Sequence, residues 1–374
     1  MIDESCLTAL NNEEEDAVNA LSQLAFHRNK GRNIVMAKKS VLEKLMHVTN
    51  FSETTRNVYK TIFNKSVENK IYLNAVSQYI LVVPKITGER IQKKQLTDNI
   101  QQTIYQITLT ELAKSDITDR VNLLTENIED SEFYKILGKF YGKTCNIKNC
   151  TLDFEKRMGG GSTIVKVFED ILKERQKACL CIVDSDQKFF NPSNPVIGNT
   201  MSNLKKFIDG KNEELWWKVL FLEVHEIENL IPIQWMEELT KDIQDAEQGI
   251  SFLKYLSNLE AEPSPVFFFD IKKGIKAEMF HCSDVNDKDK MKKFQKNELF
   301  REYWKKYIDD FGIDIDIIHE GAVIHGICKD ILVRVNENKN TLNNLYEIEE
   351  YLRKNWMLIG RVVFSWTCVG NRIN

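Results

Sequence analysis

The run Ala178-Cys-Leu-Cys-Ile-Val183 constrains the fold more than any other segment, because every position is apolar until the chain stops at Asp184. It has the length of a strand and is too short for a buried helix. Side chains of a strand alternate between its two faces, so a strand with no polar position has no face to give to water. Such strands lie in parallel sheets covered by helices on both sides. The neighbouring sequence supplies the partners. Arg120–Leu124 is a short, largely apolar run followed by the helix-like Glu132–Tyr141, and Thr151–Phe154 is a second strand candidate. The turn Gly159-Gly160-Gly161-Ser162 opens an amphipathic helix over Thr163–Glu174, and Leu220–Val224 is a fourth strand candidate. Strands alternating with helices predict an α/β unit built on a parallel sheet.

A chain of 374 residues suggests two or three domains. Residues 1–117 read as a mostly helical accessory or partner-binding domain: Ala17–Phe26, Val41–Met46 and Ile100–Leu112 carry helical apolar spacing. Tyr79–Val83, followed by Pro84, fits a short strand or a buried helix end. Residues 118–275 hold the parallel-sheet domain. Residues 276–374 read as an α+β C-terminal region. Beyond the fourth strand come a helical stretch to Leu259 and a strand-like Val266–Ile271. A charged linker, Asp284–Lys293, leads to a helix over Phe294–Tyr307 and a mixed tail that runs to Val362–Trp366.

Hydrophobic residues make up 43% and charged residues 28%, as in ordinary globular proteins. The apolar runs fall short of a membrane span, and the acidic start, with Glu13-Glu14-Glu15-Asp16, lacks the pattern of a signal peptide. The cytoplasm is the expected compartment, with no membrane contact. The 8 cysteines fit it. Cys179 and Cys181 share one strand face, while Cys145 with Cys150 and His319 with His325 lack the paired spacing of a zinc site. Reduced, buried thiols are the expectation. The net charge of −4 gives no global basic field. The basic stretches His27–Arg32, Arg90–Lys94 and Lys288–Lys306 read as solvated faces. A metal-dependent enzyme needs only a local positive groove, because bound cations offset part of an acidic site's charge.

Three acidic motifs sit where strands end, which in open α/β sheets is where ligands bind. The first is Val121-Asn-Leu-Leu-Thr-Glu-Asn-Ile-Glu-Asp130, with Glu126 at the strand end and Asp130 before a helix. Acids leading into a helix are also favoured by its dipole alone. The second is Leu180-Cys-Ile-Val-Asp-Ser-Asp186. Two carboxylates at the spacing of Asp184 and Asp186 suit Mg²⁺, a hard cation that takes one or two carboxylates and keeps its waters. An apolar run ending in this Asp-x-Asp also opens phosphatases of the haloacid-dehalogenase type, and many glycosyltransferases carry one. The third is Phe221-Leu-Glu-Val-His-Glu-Ile-Glu228, whose Glu226 and Glu228 are either further ligands or a turn cluster. The Gly159–Ser162 turn lacks the Lys-Ser/Thr of a phosphate-binding loop and the spacing of a dinucleotide site. It reads as a tight connection packed beside the acids.

The order strand–Glu, helix, strand–glycine turn, helix, strand–Asp-x-Asp and acid-tipped strand resembles the TOPRIM domain of topoisomerases, primases and OLD-type nucleases. That resemblance implies a TOPRIM-like parallel sheet in which Glu126, Asp184 and Asp186 hold Mg²⁺ or Mn²⁺. Asn127 departs from the family, which commonly has glycine after its glutamate. The chain has no topoisomerase body and no primase-like zinc ribbon, so the OLD-type and stand-alone TOPRIM nucleases are the nearer model. For these the resemblance implies further metal ligands, matched here by Asp130, Glu226 and Glu228, and a lysine near the scissile phosphate, matched by Lys272 or Lys273. The two lysines also fit ordinary surface residues. The implied function is a nuclease acting on DNA or RNA. The implied setting is anti-phage defence, with a separate ATPase or sensor as partner because no Walker A motif is present; homo-oligomerisation is left open. Two rivals stand beside it: a phosphatase-like enzyme with Asp184 as nucleophile, and a catalytically inert TOPRIM-like interaction module.

Overall fold

The computed structural model describes residues 1–374 apart from 13, 87–90, 97–101, 148–150, 175–176, 212–214, 281–287, 319, 339–347 and 374. Within its helices and strands, the side chains of 91, 95–96, 288–297 and 316 are also left aside. The strands in chain order are β1 (Gln78–Val83), β2 (Ile91–Leu96), β3 (Gln102–Thr108), β4 (Val121–Thr125), β5 (Thr151–Leu152) and β6 (Phe154–Met158). They continue with β7 (Cys179–Val183), β8 (Trp217–Phe221), β9 (Gly274–Lys276), β10 (Ala322–His325) and β11 (Cys368–Val369).

The organising element is a four-stranded, all-parallel sheet in the order β6-β4-β7-β8. As its apolar sequence requires, β7 is buried at every position and sits between two neighbours. By area, each fully buried Leu, Ile or Val side chain contributes about 1.5–3 kcal/mol, so a charge at Leu180 or Ile182 would break the sheet. The crossovers are the helices Asp130–Thr144, Ile164–Glu174 and Asn199–Ile208. The first packs with the late helix Glu350–Thr367, where Trp356 meets Phe133 and Phe140 edge-on at 6.0 and 5.2 Å. The other two pack together, with Phe168 against Phe207 and Trp217 at 6.2 and 5.8 Å. The chain moves outward from β4 to β6, then returns past β4 to β7. That reversal makes the β4/β7 boundary the switch point, where the carboxyl ends of adjacent strands open a crevice.

The N-terminal part differs from the helical expectation. Helices Glu15–Asn29, Lys39–Leu45 and Glu53–Asn64 are present, but β1, β3 and β2 form a mixed sheet beside them. The stretch expected to be helical over Ile100–Leu112 is β3 followed by a short helix, Leu109–Ala113. Thr103, Ile104, Tyr105, Ile107 and Thr108 are β-branched or aromatic, and pairing on both sides lets that preference prevail over an ambiguous apolar spacing. The expected strand Val266–Ile271 is instead a buried 3₁₀ turn, Pro265–Phe268, because proline starts a helical turn readily and cannot donate to a ladder. The fourth strand lies at Trp217–Phe221 rather than Leu220–Val224, leaving 222–226 free to loop over the sheet end.

The basic stretch His27–Arg32 is not a solvated face. His27 Nδ1 lies 2.6 Å from Thr118 Oγ1, Arg28 donates to the Asn371 carbonyl at 2.7 Å, and Arg32 pairs with Asp119 at 2.7 Å. Lys93 and Lys94 are exposed on β2, and Arg90 lies outside the described residues. The helix Lys288–Asp310 buries Phe300, Trp304 and Tyr307. Cys179 and Cys181 are free, buried thiols, while Cys150 and His319 lie outside the described residues. No helix among the described residues is long and apolar enough to cross a membrane.

Candidate metal centre

Glu126 is the first residue past β4, and Asp184 the first past its neighbour β7. Because β4 and β7 pair directly, these two acids leave adjacent strand ends at the switch point. Beyond Asp184 the chain is laced to the segment after β8. Leu222 N–H donates to the Val183 carbonyl at 2.9 Å, and Asp186 N–H to the His225 carbonyl at 2.8 Å. Asp186 itself has φ of 55°, a left-handed conformation that aspartate tolerates better than most residues. The return of the loop passes so close that a Cβ at Gly198 would sit 1.9 Å from Asp186 Oδ2. Only glycine fits there.

The glycine turn after β6 is clamped to the same place. Gly159 N–H donates to the Thr125 carbonyl at 2.7 Å and Gly160 N–H to the Glu126 carbonyl at 3.0 Å. Gly160 and Gly161 have φ of 64° and 57°, which explains glycine at both.

Glu226 and Glu228 come from the 3₁₀ turn Ile227–Leu230 and its lead residue. Buried Asn229 holds this turn: its Oδ1 accepts from Glu226 N–H at 3.0 Å, and its Nδ2 donates to the Val266 and Phe269 carbonyls, both at 2.8 Å. Lys272 enters from the far side, 2.8 Å from Glu226 Oε2 and 3.2 Å from Glu228 Oε1. Asp130, at the start of its helix, accepts from Asn127 N–H at 2.9 Å.

The six acids share one electrostatic environment. Burial, then Asp186 and Glu226, push the Glu126 carboxyl up to about 7. Burial likewise raises Asp130 to about 7, helped by Glu228 and Glu126 and opposed by the Asn127 N–H. Asp184 is raised well above the carboxylate range by burial and by Glu126, Glu228, Asp130 and Glu226. Burial also raises Asp186 and Glu228, opposed by His225 and by Lys272 respectively. Burial works against the Lys272 charge, yet Glu228 and Glu226 raise its ammonium above the ordinary value. Of these six carboxyls Lys272 pairs with Glu226 and Glu228, and the buried oxygens Glu126 Oε1 and Glu228 Oε2 have no hydrogen-bond partner. Buried acceptors are normally satisfied, so oxygens left open in an all-carboxylate cluster fit a hard divalent cation.

The structure thus places Glu126, Asp130, Asp184, Asp186, Glu226 and Glu228 at one end of the sheet, near enough for their charges to act on one another, with Lys272 paired to Glu226 and Glu228; among the described residues, the three donors whose ligand atoms all lie within 4.8 Å of one another are His225, Glu226 and Asp270. It does not bring in Lys273, whose side chain is exposed and whose backbone N–H instead holds Asp270 Oδ1 at 2.9 Å. Four contributors escaped the sequence reading. Buried His225 lies 3.7 Å from Asp270 Oδ2, and Lys188 lies 3.3 Å from the same oxygen. Buried Tyr134 stands near enough to feel Asp184, Asp130, Glu126 and Glu228. His225 and Asp270 flank the acid and lysine motifs by one and two residues, which was the available signal; Lys188 and Tyr134 gave none. Comparison with family models, with curated proteins and with solved structures finds no match to this chain.

Proposed function

We propose that the chain is a metal-dependent nuclease with a TOPRIM-like catalytic sheet, hydrolysing phosphodiester bonds of DNA or RNA. The observation that carries this is that Glu126 and Asp184 directly follow neighbouring strands at the switch point of a parallel sheet, with Asp186 two residues on and Lys272 nearby on Glu226 and Glu228. Glu126, Asp184 and Asp186 would hold Mg²⁺ or Mn²⁺, with Asp130, Glu226 and Glu228 as further oxygen donors. Such a cation, when bound, supplies Lewis-acid stabilisation of phosphate charge and a more acidic water. Lys272, steadied by Glu226 and Glu228, would bring a positive charge to a phosphate entering the crevice, where a fixed charge stabilises the transition state. Asn229 and the loop hydrogen bonds keep that geometry rigid before substrate arrives. Control by a separate ATPase or sensor, in anti-phage defence, belongs to the same proposal and rests on the resemblance alone.

The test is purified protein with supercoiled plasmid, linear duplex and tRNA, in Mg²⁺ or Mn²⁺ and in chelator. Cleavage that needs the cation and is lost in Asp184→Asn is the expected result. Cleavage by Asp184→Asn at the parental rate would falsify the assignment, and an acyl-phosphate trapped on Asp184 would replace it with a phosphatase.

A further inference from the structure

We propose that His225, Glu226 and Asp270 form a second divalent-cation site, one that takes nitrogen-accepting metals such as Mn²⁺, Co²⁺ or Zn²⁺ in preference to Mg²⁺. Its existence does not depend on the nuclease assignment, because His225 and Asp270 stand outside the carboxylate cluster and only Glu226 is shared. His225 is 2% exposed, and neither ring nitrogen has a hydrogen-bond partner. Its Nε2 lies 3.9 Å from Glu226 Oε1 and 3.7 Å from Asp270 Oδ2, too far for a hydrogen bond to either. Those separations suit a shared cation instead. Ligand atoms about 2.1 Å from one metal stand roughly 3.4 Å apart at a tetrahedral angle, so the two imidazole–carboxylate gaps are within a few tenths of an ångström of closing, and all three ligand atoms already lie within 4.8 Å of one another.

The donors are held for this purpose by backbone contacts. His225 N–H donates to the Phe267 carbonyl at 2.7 Å, while its own carbonyl accepts from Asp186 N–H at 2.8 Å. Asp270 Oδ1 accepts from Lys273 N–H at 2.9 Å, which leaves Oδ2 toward the imidazole. Asp270 is therefore a fixed ligand rather than a free surface acid, and such outer contacts are what orient metal ligands. An imidazole with two carboxylates favours transition metals, whereas Mg²⁺ prefers oxygen alone. Lys188, 3.3 Å from Asp270 Oδ2 on a flexible stem, occupies the charge position a cation would take. It is the competitor that metal must displace. Glu226 links the two sites, offering Oε1 toward His225 and Oε2 to Lys272.

The test titrates the full-length protein with Co²⁺ in excess Mg²⁺, read by visible d–d absorption and by paramagnetically shifted imidazole NMR signals. Neither readout requires activity. The parent should bind Co²⁺ through one histidine; His225→Gln and Asp270→Asn should each lose that signal, and Asp184→Asn should keep it. Lys188→Met should bind Co²⁺ about tenfold more tightly, on the scale of changes at groups bordering a ligand. That gain cannot arise from damage to the fold. A parent without an imidazole-ligated Co²⁺ signal, equal binding by His225→Gln, or no gain in Lys188→Met would overturn the proposal. Loss of cleavage alone would bear on the nuclease assignment and leave this one standing.

Discussion

The two ends of the central sheet are both densely charged, and they handle charge in opposite ways. At the amino ends of β4, β6 and β7, the acids Asp119, Asp153 and Glu155 each meet a base. Arg32 and Lys177 lie 2.7 and 3.2 Å from the two oxygens of Asp119, Lys177 also reaches Glu155 at 2.6 Å, and Arg120 pairs with Asp153 at 3.0 Å. Burial opposes the Asp119 charge, but the Arg120 N–H, Lys177 and Arg32 hold its carboxyl below the ordinary value. At the carboxyl ends of β4 and β7, six acids gather near Lys272, and burial pushes five of them, Glu126, Asp130, Asp184, Asp186 and Glu228, upward. Charge density alone therefore does not mark a functional end. What marks it is charge that the chain leaves unanswered, a state that costs stability unless a ligand completes it.

The sharpest way to break this contrast is to neutralise one residue at each end. Asp184→Asn should lower cation-dependent cleavage about a thousandfold, the upper scale for losing a group that stabilises transition-state charge. Its metal-free melting temperature should stay near the parent's, since burial and the neighbouring carboxyls already push the Asp184 carboxyl toward its neutral form. A variant that unfolds, or cleaves normally, would show that the carboxyl end is structural after all. Lys272→Met should cut cleavage about a hundredfold. It should also destabilise the metal-free fold by about 1–3 kcal/mol, because Glu226 and Glu228 lose their counter-charge, and added Mg²⁺ should restore part of that. Asp119→Asn should do the reverse of Asp184→Asn. It leaves Arg32 without its carboxylate and Lys177 with Glu155 alone, costing about 1–3 kcal/mol in denaturant titrations, with cleavage unchanged.

The ends should also respond to pH with opposite slopes. Glu126 and Asp130, raised from 4.5 and 3.8 to about 7, take up protons on folding. Their contribution to stability is whole below the ordinary carboxylate values and is lost as pH rises through about 7. Asp119 is lowered, so its contribution is present above 3.8 and is lost only as pH falls through its lower folded value. Metal-free protein should therefore melt a few degrees lower at about pH 8 than at about pH 5.5, and Mg²⁺ should raise the melting temperature more at the higher pH. Equal shifts by Mg²⁺ at both pH values would remove the coupling between protons and cation at this end.

Much of this contrast was legible before the structure. The unbroken apolar run of β7 fixed a buried parallel strand, and the acids directly after β4 and β7 followed from the sheet rule without knowledge of contacts. The amino-end network was not legible, because Arg32 and Asp119 meet only when the helix Glu15–Asn29 and the turn after it dock on the 115–119 segment that leads into β4. His225, Lys188 and Asp270 were missed for the same reason: they are joined across the 184–188, 222–229 and 265–273 segments, a long-range packing that no local spacing encodes. The strand β3 was misread because its apolar residues satisfy helical and extended spacing about equally. Pairing with β1 and β2 decides between them, and pairing is not a local property.

The smallest expected effect separates two adjacent lysines that the sequence treats as equals. Lys272 turns inward to Glu226 and Glu228, while the Lys273 side chain is exposed and only its backbone N–H does structural work, at Asp270. Lys273→Ala keeps that N–H, so cleavage and melting temperature should stay within about 0.5 kcal/mol of the parent, the ordinary range for a surface substitution. A hundredfold loss of cleavage in Lys273→Ala, matching Lys272→Met, would mean that substrate recruits the outer lysine as well. The positive wall of the crevice would then extend past the carboxylate cluster, and the line between answered and unanswered charge would have to be drawn with nucleic acid present.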